Sequence, residues 1–185
     1  MKLLAVLALV AALAACSHPA PKLDVFGDIP QFELVAQNGQ PFHSQVLAGK
    51  IWVADFIYTT CPGPCPRMTS QMREVQDAVS TLPDVRMVSF SIDPANDTPP
   101  VLAAYAKLHG ASPSVWYFLT GPVPTLQMLD RDAFKLGNID GTLEHSTRFV
   151  VVDRQGRIRG YYDTSEASAI QKVISDVRAL AADRT

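Results

Sequence analysis

Cysteine is scarce in this chain: three residues, Cys16, Cys61 and Cys65, among 185. With Cys16 set aside for the reason given below, one pair remains. That pair encloses only Pro62, Gly63 and Pro64, so closing it removes little chain entropy and adds little stability. A purely structural disulfide is the weaker explanation of it. Long hydrophobic runs are absent as well, since the one apolar stretch, residues 3–15, is too short to span a bilayer comfortably. The formal net charge is only −2 and no basic run invites nucleic acid. No second block of composition argues for a second domain.

What is present at the N-terminus is a leader. Lys2 precedes the alanine-rich stretch, which ends in Leu13-Ala14-Ala15-Cys16, a secretory signal with small residues at the cleavage site. The same four residues resemble a bacterial lipobox, in which Cys16 becomes the lipidated N-terminal residue. Two or more acyl chains hold a protein stably on a bilayer. We therefore expect a signal peptide over 1–15, a lipid-anchored tether over 16–26 and one domain over 27–185, on the periplasmic side of a bacterial membrane.

Within that domain, four apolar segments bounded by turn residues read as strands: 51–58, 85–92, 115–120 and 148–152. Residues 157–162 follow the turn Asp153-Arg154-Gln155-Gly156 as the second arm of a hairpin. An earlier hairpin is read over 32–35 and 41–43, around Asn38-Gly39. Helices alternate with the strands. Met68, Met72, Val75, Val79 and Leu82 recur every three or four positions from a start near Cys65, so the methionines belong to the core. Thr98 and Pro99 start a second helix that stops at Gly110, a third covers 123–134, and a fourth runs from a Ser165 cap to the C-terminus. This order implies an α/β fold with a central mixed sheet flanked by helices, thioredoxin-like, with an N-terminal hairpin extension. It places Cys61 and Cys65 at the carboxyl end of the sheet, where ligand and redox sites gather.

Three prolines in the run Cys61-Pro62-Gly63-Pro64-Cys65-Pro66 restrict the loop and hold its sulfurs near one another. The start of the following helix favours a thiolate at Cys65. Two thiolates suit copper, and an imidazole completes a three-donor set for it. Zinc wants a fourth ligand that the sequence does not offer. The same pair suits thiol–disulfide exchange. The candidate imidazole is His145, although a lone histidine ahead of a strand is ordinarily a surface residue. His18, His43 and His109 are weaker candidates, in the tether, the early hairpin and a helix end.

Four further segments occur in order: Asp55-Phe56-Ile57-Tyr58-Thr59-Thr60 with the cysteine run, Ser89-Phe90-Ser91-Ile92-Asp93-Pro94 with Asp97-Thr98-Pro99, Trp116-Tyr117-Phe118-Leu119-Thr120-Gly121, and His145-Ser146. Together they resemble the Sco/SenC family, membrane-anchored copper proteins that assist assembly of the CuA centre of cytochrome c oxidase. The resemblance implies a thioredoxin-like fold and a copper site made by Cys61, Cys65 and His145. It also implies partners: the copper-bearing oxidase subunit, a thiol reductant and another periplasmic copper carrier. Glu144 stands where relatives usually have aspartate, and Asp93 and Asp97 match the family pattern. Thioredoxin-like reductases place a proline just before the strand facing their cysteines; here the stretch is Glu144-His145-Ser146-Thr147-Arg148, which favours metal handling. The expected function is copper metallochaperone, with a thiol–disulfide oxidoreductase acting through Cys61 and Cys65 as the alternative. A peroxidase-like thiol protein is a third reading, supported only by the shared fold and thiolate position.

Overall fold

The computed structural model describes residues 23–183 apart from 138, 140 and 144. The leader, Cys16 and most of the expected tether lie outside the described residues, as does Glu144. Eight strands form one mixed sheet in the order β1-β8-β7-β4-β5-β6-β2-β3. They are β1 Gly27–Asp28, β2 Glu33–Ala36, β3 Pro41–His43, β4 Ile51–Ile57, β5 Val85–Ser91, β6 Trp116–Thr120, β7 Arg148–Val152 and β8 Arg157–Asp163. The helices are α1 Cys65–Ala78, α2 Pro99–Leu108, α3 Val123–Gln127 and α4 Ala169–Ala182. Strands β4, β5 and β6 run parallel, joined by α1 and α2. Strand β7 then pairs antiparallel with β4, and β8 with β7. This is the thioredoxin-like arrangement, and the expected hairpin, β2 with β3, extends it by pairing with β6.

Strand β4 is buried along its whole length, because both faces of the sheet are covered. Ile51, Val53 and Ile57 face a core built with Met68, Met72 and Val75 of α1, Leu102 of α2 and Val173 and Val177 of α4. Trp52, Ala54 and Phe56 face a second core with Phe90, Phe134 and the β2–β3 hairpin. There Phe56 stacks on Phe90 at 5.0 Å and meets Phe134 edge-on at 5.4 Å. Helix α2 starts where expected, with Thr98 extended at its N-cap and Pro99 in its first turn. It ends before Gly110, whose φ of +67° reverses the chain.

Three boundaries differ from the sequence reading. Helix α4 begins at Ala169 with Ser168 as its N-cap, because Ser165 is held in the preceding turn, its N–H and hydroxyl both donating to Asp163 Oδ1. Helix α1 ends at Ala78, and Leu82 packs on the same core from the following turn. The segment expected as one helix over 123–134 changes pitch: Met128–Ala133 winds in wider π turns, with Phe134 N–H bonded to the Leu129 carbonyl at 2.8 Å.

Two elements were not anticipated, the short strand β1 and a 3-10 turn at Ser44–Leu47. Residues 23–26, read as the end of the tether, lie against β8. Arg159 donates to the carbonyls of Leu23 and Asp24, and Phe26 N–H to that of Ile158. Arg159 is itself held by Asp153 at 2.8 Å.

Met72 is fully buried, and truncating such a side chain leaves a cavity that the core fills only in part. Met72→Ala is expected to lower stability by about 2–5 kcal/mol, read by chemical denaturation of the reduced protein.

Candidate metal centre

Cys61 closes the loop that leaves β4, and Cys65 is the first residue of α1. The loop is anchored by Asp97, whose fully buried carboxylate accepts from the Thr59 N–H and hydroxyl and from the Ser91 hydroxyl at 2.6 Å. Helix α1 is anchored by its first turns: Met68 N–H donates to the Pro64 carbonyl at 2.9 Å. The Thr69 hydroxyl bonds the Cys65 carbonyl at 2.9 Å and meets the Tyr105 hydroxyl at 2.8 Å. The aspartate of this Asp97-Thr98-Pro99 segment thus holds the cysteine loop in place. Asp93 is tied within its own turn, accepting from Asn96 and donating its N–H to the Ser91 hydroxyl.

His145 lies just ahead of β7, and its Nε2 is 3.1 Å from Cys65 Sγ. Its Nδ1 lies 2.9 Å from the Ser146 carbonyl. A carbonyl only accepts, so Nδ1 carries a hydrogen, and in the neutral ring Nε2 then presents its lone pair to the sulfur. Tyr58 meets the imidazole edge-on at 5.7 Å. One donor atom from each of Cys61, Cys65 and His145 lies within 4.8 Å of the others. The three residues named from the sequence are therefore brought together across 80 positions of chain. The cluster opens into a cleft of about 500 Å³ lined by Tyr58, Pro62, Gly63, Pro64 and Leu143 with two of the donors, Cys61 and His145. Cys65 lies fully beneath it.

The two thiols, both free, sit in unequal surroundings. Burial raises the Cys61 thiol, but the Cys65 N–H, the His145 ring and the Gly63 N–H outweigh it and bring it down to about 6. Burial drives Cys65 well above the ordinary thiol range, and the neighbouring Cys61 and Asp55 add to the rise. This reverses the expectation from helix position. Complete burial outweighs the helix start at Cys65, while the loop N–H groups serve Cys61 instead.

Asp55 belongs to the first of the four motifs, where the sequence alone gives it no role. It is fully buried in β4, where a charge inside an apolar run was the available signal. Its Oδ1 accepts from Ser89 at 2.6 Å, and Ser89 accepts from Trp116 Nε1 at 2.9 Å, while Oδ2 has no partner among the described residues. Burial lifts the carboxyl to about 7 against the opposing pulls of Ser89 and His145. Among the described residues, Met68 and Met72 are core, His43 pairs with Glu33 at 3.0 Å and His109 packs on Tyr105; His18 lies outside the described residues.

The family model described as SCO1/SenC matches residues 26–182. The chain belongs to the SCO1/SenC family. A Stutzerimonas stutzeri protein carrying a provisional copper-binding assignment is 32% identical over 159 residues, 80% of this chain and 76% of its own. The crystal structure of a SCO1/SenC family lipoprotein from Bacillus anthracis is 33% identical with a TM-score of 0.76, covering 84% of this chain and 95% of that one. BsSco, a member of the Sco family of cytochrome c oxidase assembly proteins in which a disulfide switch was identified, is 30% identical with a TM-score of 0.74, over 85% and 96%. In the described part of the present chain, no helix is long and apolar enough to cross a membrane.

Two titrations check the electrostatics. In the reduced, metal-free protein, thiolate absorbance is expected to rise by one equivalent around pH 6, lost in Cys61→Ser, with the second thiol silent to about pH 10. The folded pKa of Asp55 lies above its unfolded value, so its contribution to stability is full below about pH 4 and is lost as pH rises through about 7. Asp55→Asn is expected to flatten that decline. Its stability relative to the parent should improve by about 2–3 kcal/mol between pH 5 and pH 8 in denaturant unfolding.

Proposed function

We propose that Cys61, Cys65 and His145 hold one copper ion as cargo and that the protein passes it on during assembly of the CuA site of a respiratory cytochrome c oxidase. The observation that carries this reading is the meeting of two sulfurs and an imidazole lone pair within 4.8 Å. Soft thiolates suit copper(I), which is satisfied by two sulfurs and one nitrogen, and copper(II) also tolerates this set. Among the described residues, no fourth histidine, cysteine or carboxylate joins the cluster, which argues against a structural zinc.

The chain's own groups prepare the site. The Ser146 carbonyl fixes the His145 tautomer so that Nε2 faces the sulfurs. Cys61, already inclined to ionise and open to the cleft, is the entry ligand. Cys65 gives up its proton next, and His145 Nε2, 3.1 Å away, can relay it to solvent at the cleft so that both donors are free of protons when the metal takes them. Loading therefore releases protons, and release to a partner follows the cleft side through Cys61. Membership of the family and the naming of BsSco as an oxidase assembly protein support the oxidase subunit as acceptor. The lipoprotein from Bacillus anthracis supports attachment through Cys16.

A second reading, thiol–disulfide exchange on the same pair, is favoured by the unequal thiols. Cys61 thiolate attacks a partner disulfide and displaces one partner thiolate. Cys65 then attacks Cys61 Sγ, its proton passing to the departing second partner sulfur, and the Cys61–Cys65 disulfide remains. Metal loading and this oxidation exclude each other, because both use the same sulfur electrons.

Anaerobic titration of the reduced protein with copper(I) tests the first reading. One equivalent should bind, and Cys61→Ser, Cys65→Ser and His145→Ala should each weaken it by more than the roughly 10- to 100-fold typical of an outer partner. Unchanged affinity in His145→Ala would leave only the dithiol chemistry.

A further inference from the structure

Among the described residues, the segment 145–147 is tied to the hairpin and to α1 at a few identifiable points. Strand β7 begins at Arg148, paired with Asp163 of β8, and His145 lies three residues ahead of that pair. Within 145–147, the His145 Nδ1 bond to Ser146 is local. The Thr147 hydroxyl reaches Asp163 only at 3.3 Å. The strong tie is the Thr147 carbonyl, which accepts from both the hydroxyl of Thr164 at 2.6 Å and its N–H at 3.0 Å. The carbonyl of the same Thr164 faces α1, where it accepts from Arg67 Nη1 at 2.6 Å and from Gln71 Nε2 at 3.0 Å. Arg67 is two residues beyond Cys65, and Gln71 follows one turn later. Thr164 is only 1% exposed.

All three polar groups of Thr164 are therefore spent on joining the helix that begins with Cys65 to the segment that bears His145. From Thr147 to the imidazole is two residues, and from Arg67 to the sulfur is two residues. A metal site tolerates errors of only about 0.5 Å in its ligands, and a bridge this short sets the spacing between them. We infer that Thr164, clamped by Arg67 and Gln71, is the positioning residue that fixes the His145 imidazole against Cys65 and thereby tunes the copper site. This rests on the copper reading for its effect on binding, while the clamp itself is a property of the metal-free protein.

The sequence places Thr164 beyond a hairpin strand, 19 positions from His145 and 99 from Cys65, with no motif around it. Replacing the hydroxyl by a methyl in Thr164→Val keeps the volume and removes the 2.6 Å bond, leaving the Thr147 carbonyl with one donor. Thr164→Ser keeps that bond. Arg67→Met with Gln71→Leu releases the same clamp from the helix side, without touching either hairpin strand.

The experiment compares these variants in two measurements. In the reduced, metal-free protein, the proton NMR contact between the His145 ring and the Cys65 methylene should be present in the parent and in Thr164→Ser, and weakened in Thr164→Val. In the copper-loaded protein, Thr164→Val should bind copper about 10-fold more weakly. Its sulfur-to-copper(II) absorption band should also move, with Thr164→Ser within about twofold of the parent. Combining Thr164→Val with the helix-side changes should add less than the sum, because both act through one clamp.

If folded Thr164→Val retains the parent's ring contact, affinity and band, the inference is overturned. It is overturned equally if Thr164→Ser is as impaired as Thr164→Val. If the parent binds no copper, the copper reading fails and the ring contact alone decides the clamp. Should Thr164→Val not fold, the helix-side variant decides by the same contact and band.

Discussion

Burial of Cys65 at the first position of α1 is the constraint on which the rest of the site depends. The helix is held to the sheet by Met68, Met72 and Val75, all fully buried. Its first residue therefore has no freedom to move toward a ligand, and the other donors must come to it. The loop brings Cys61 from one side, braced through Thr59 by the Asp97 carboxylate. The stretch before β7 brings His145 from the other. An antiparallel β7 beside β4 is what makes this possible, since it delivers its leading end to the same edge of the sheet at which β4 releases the cysteine loop.

The same burial sets the electrostatics. A sulfur enclosed by apolar side chains resists ionisation, while one at the cleft with N–H groups directed at it ionises readily. One pair of cysteines thus supplies a ready thiolate and a guarded thiol. The buried Asp55 carboxyl adds to the rise at Cys65 and is itself raised by burial to about 7, against the pulls of Ser89 and His145.

Much of this was legible in the sequence, for physical reasons that differ by element. Strands β4 and β5 announce themselves as unbroken apolar runs because both faces are covered, and α1 by the spacing of Met68, Met72 and Val75. The proline-rich loop and the four ordered motifs point to Cys61, Cys65 and His145. Periodicity says nothing about a histidine outside a regular element, so His145 was visible only through family resemblance. The N-cap of α4 was misplaced because Asp163 competes for Ser165, a contact made by the end of β8. The wider turns at Met128–Ala133 and the relative acidity of the two thiols depend on packing across the molecule, which no local pattern encodes. Thr164 was invisible for the same reason: its hydrogen bonds join segments about 17 and 97 positions away.

The central claim is that one copper ion is held by both sulfurs and the imidazole together. X-ray absorption spectroscopy of the copper(I)-loaded protein measures this directly. The account predicts two sulfur neighbours and one nitrogen neighbour, with the outer-shell scattering of an imidazole ring that vanishes in His145→Ala. A spectrum fitted by sulfur alone, and unchanged in that variant, would contradict it.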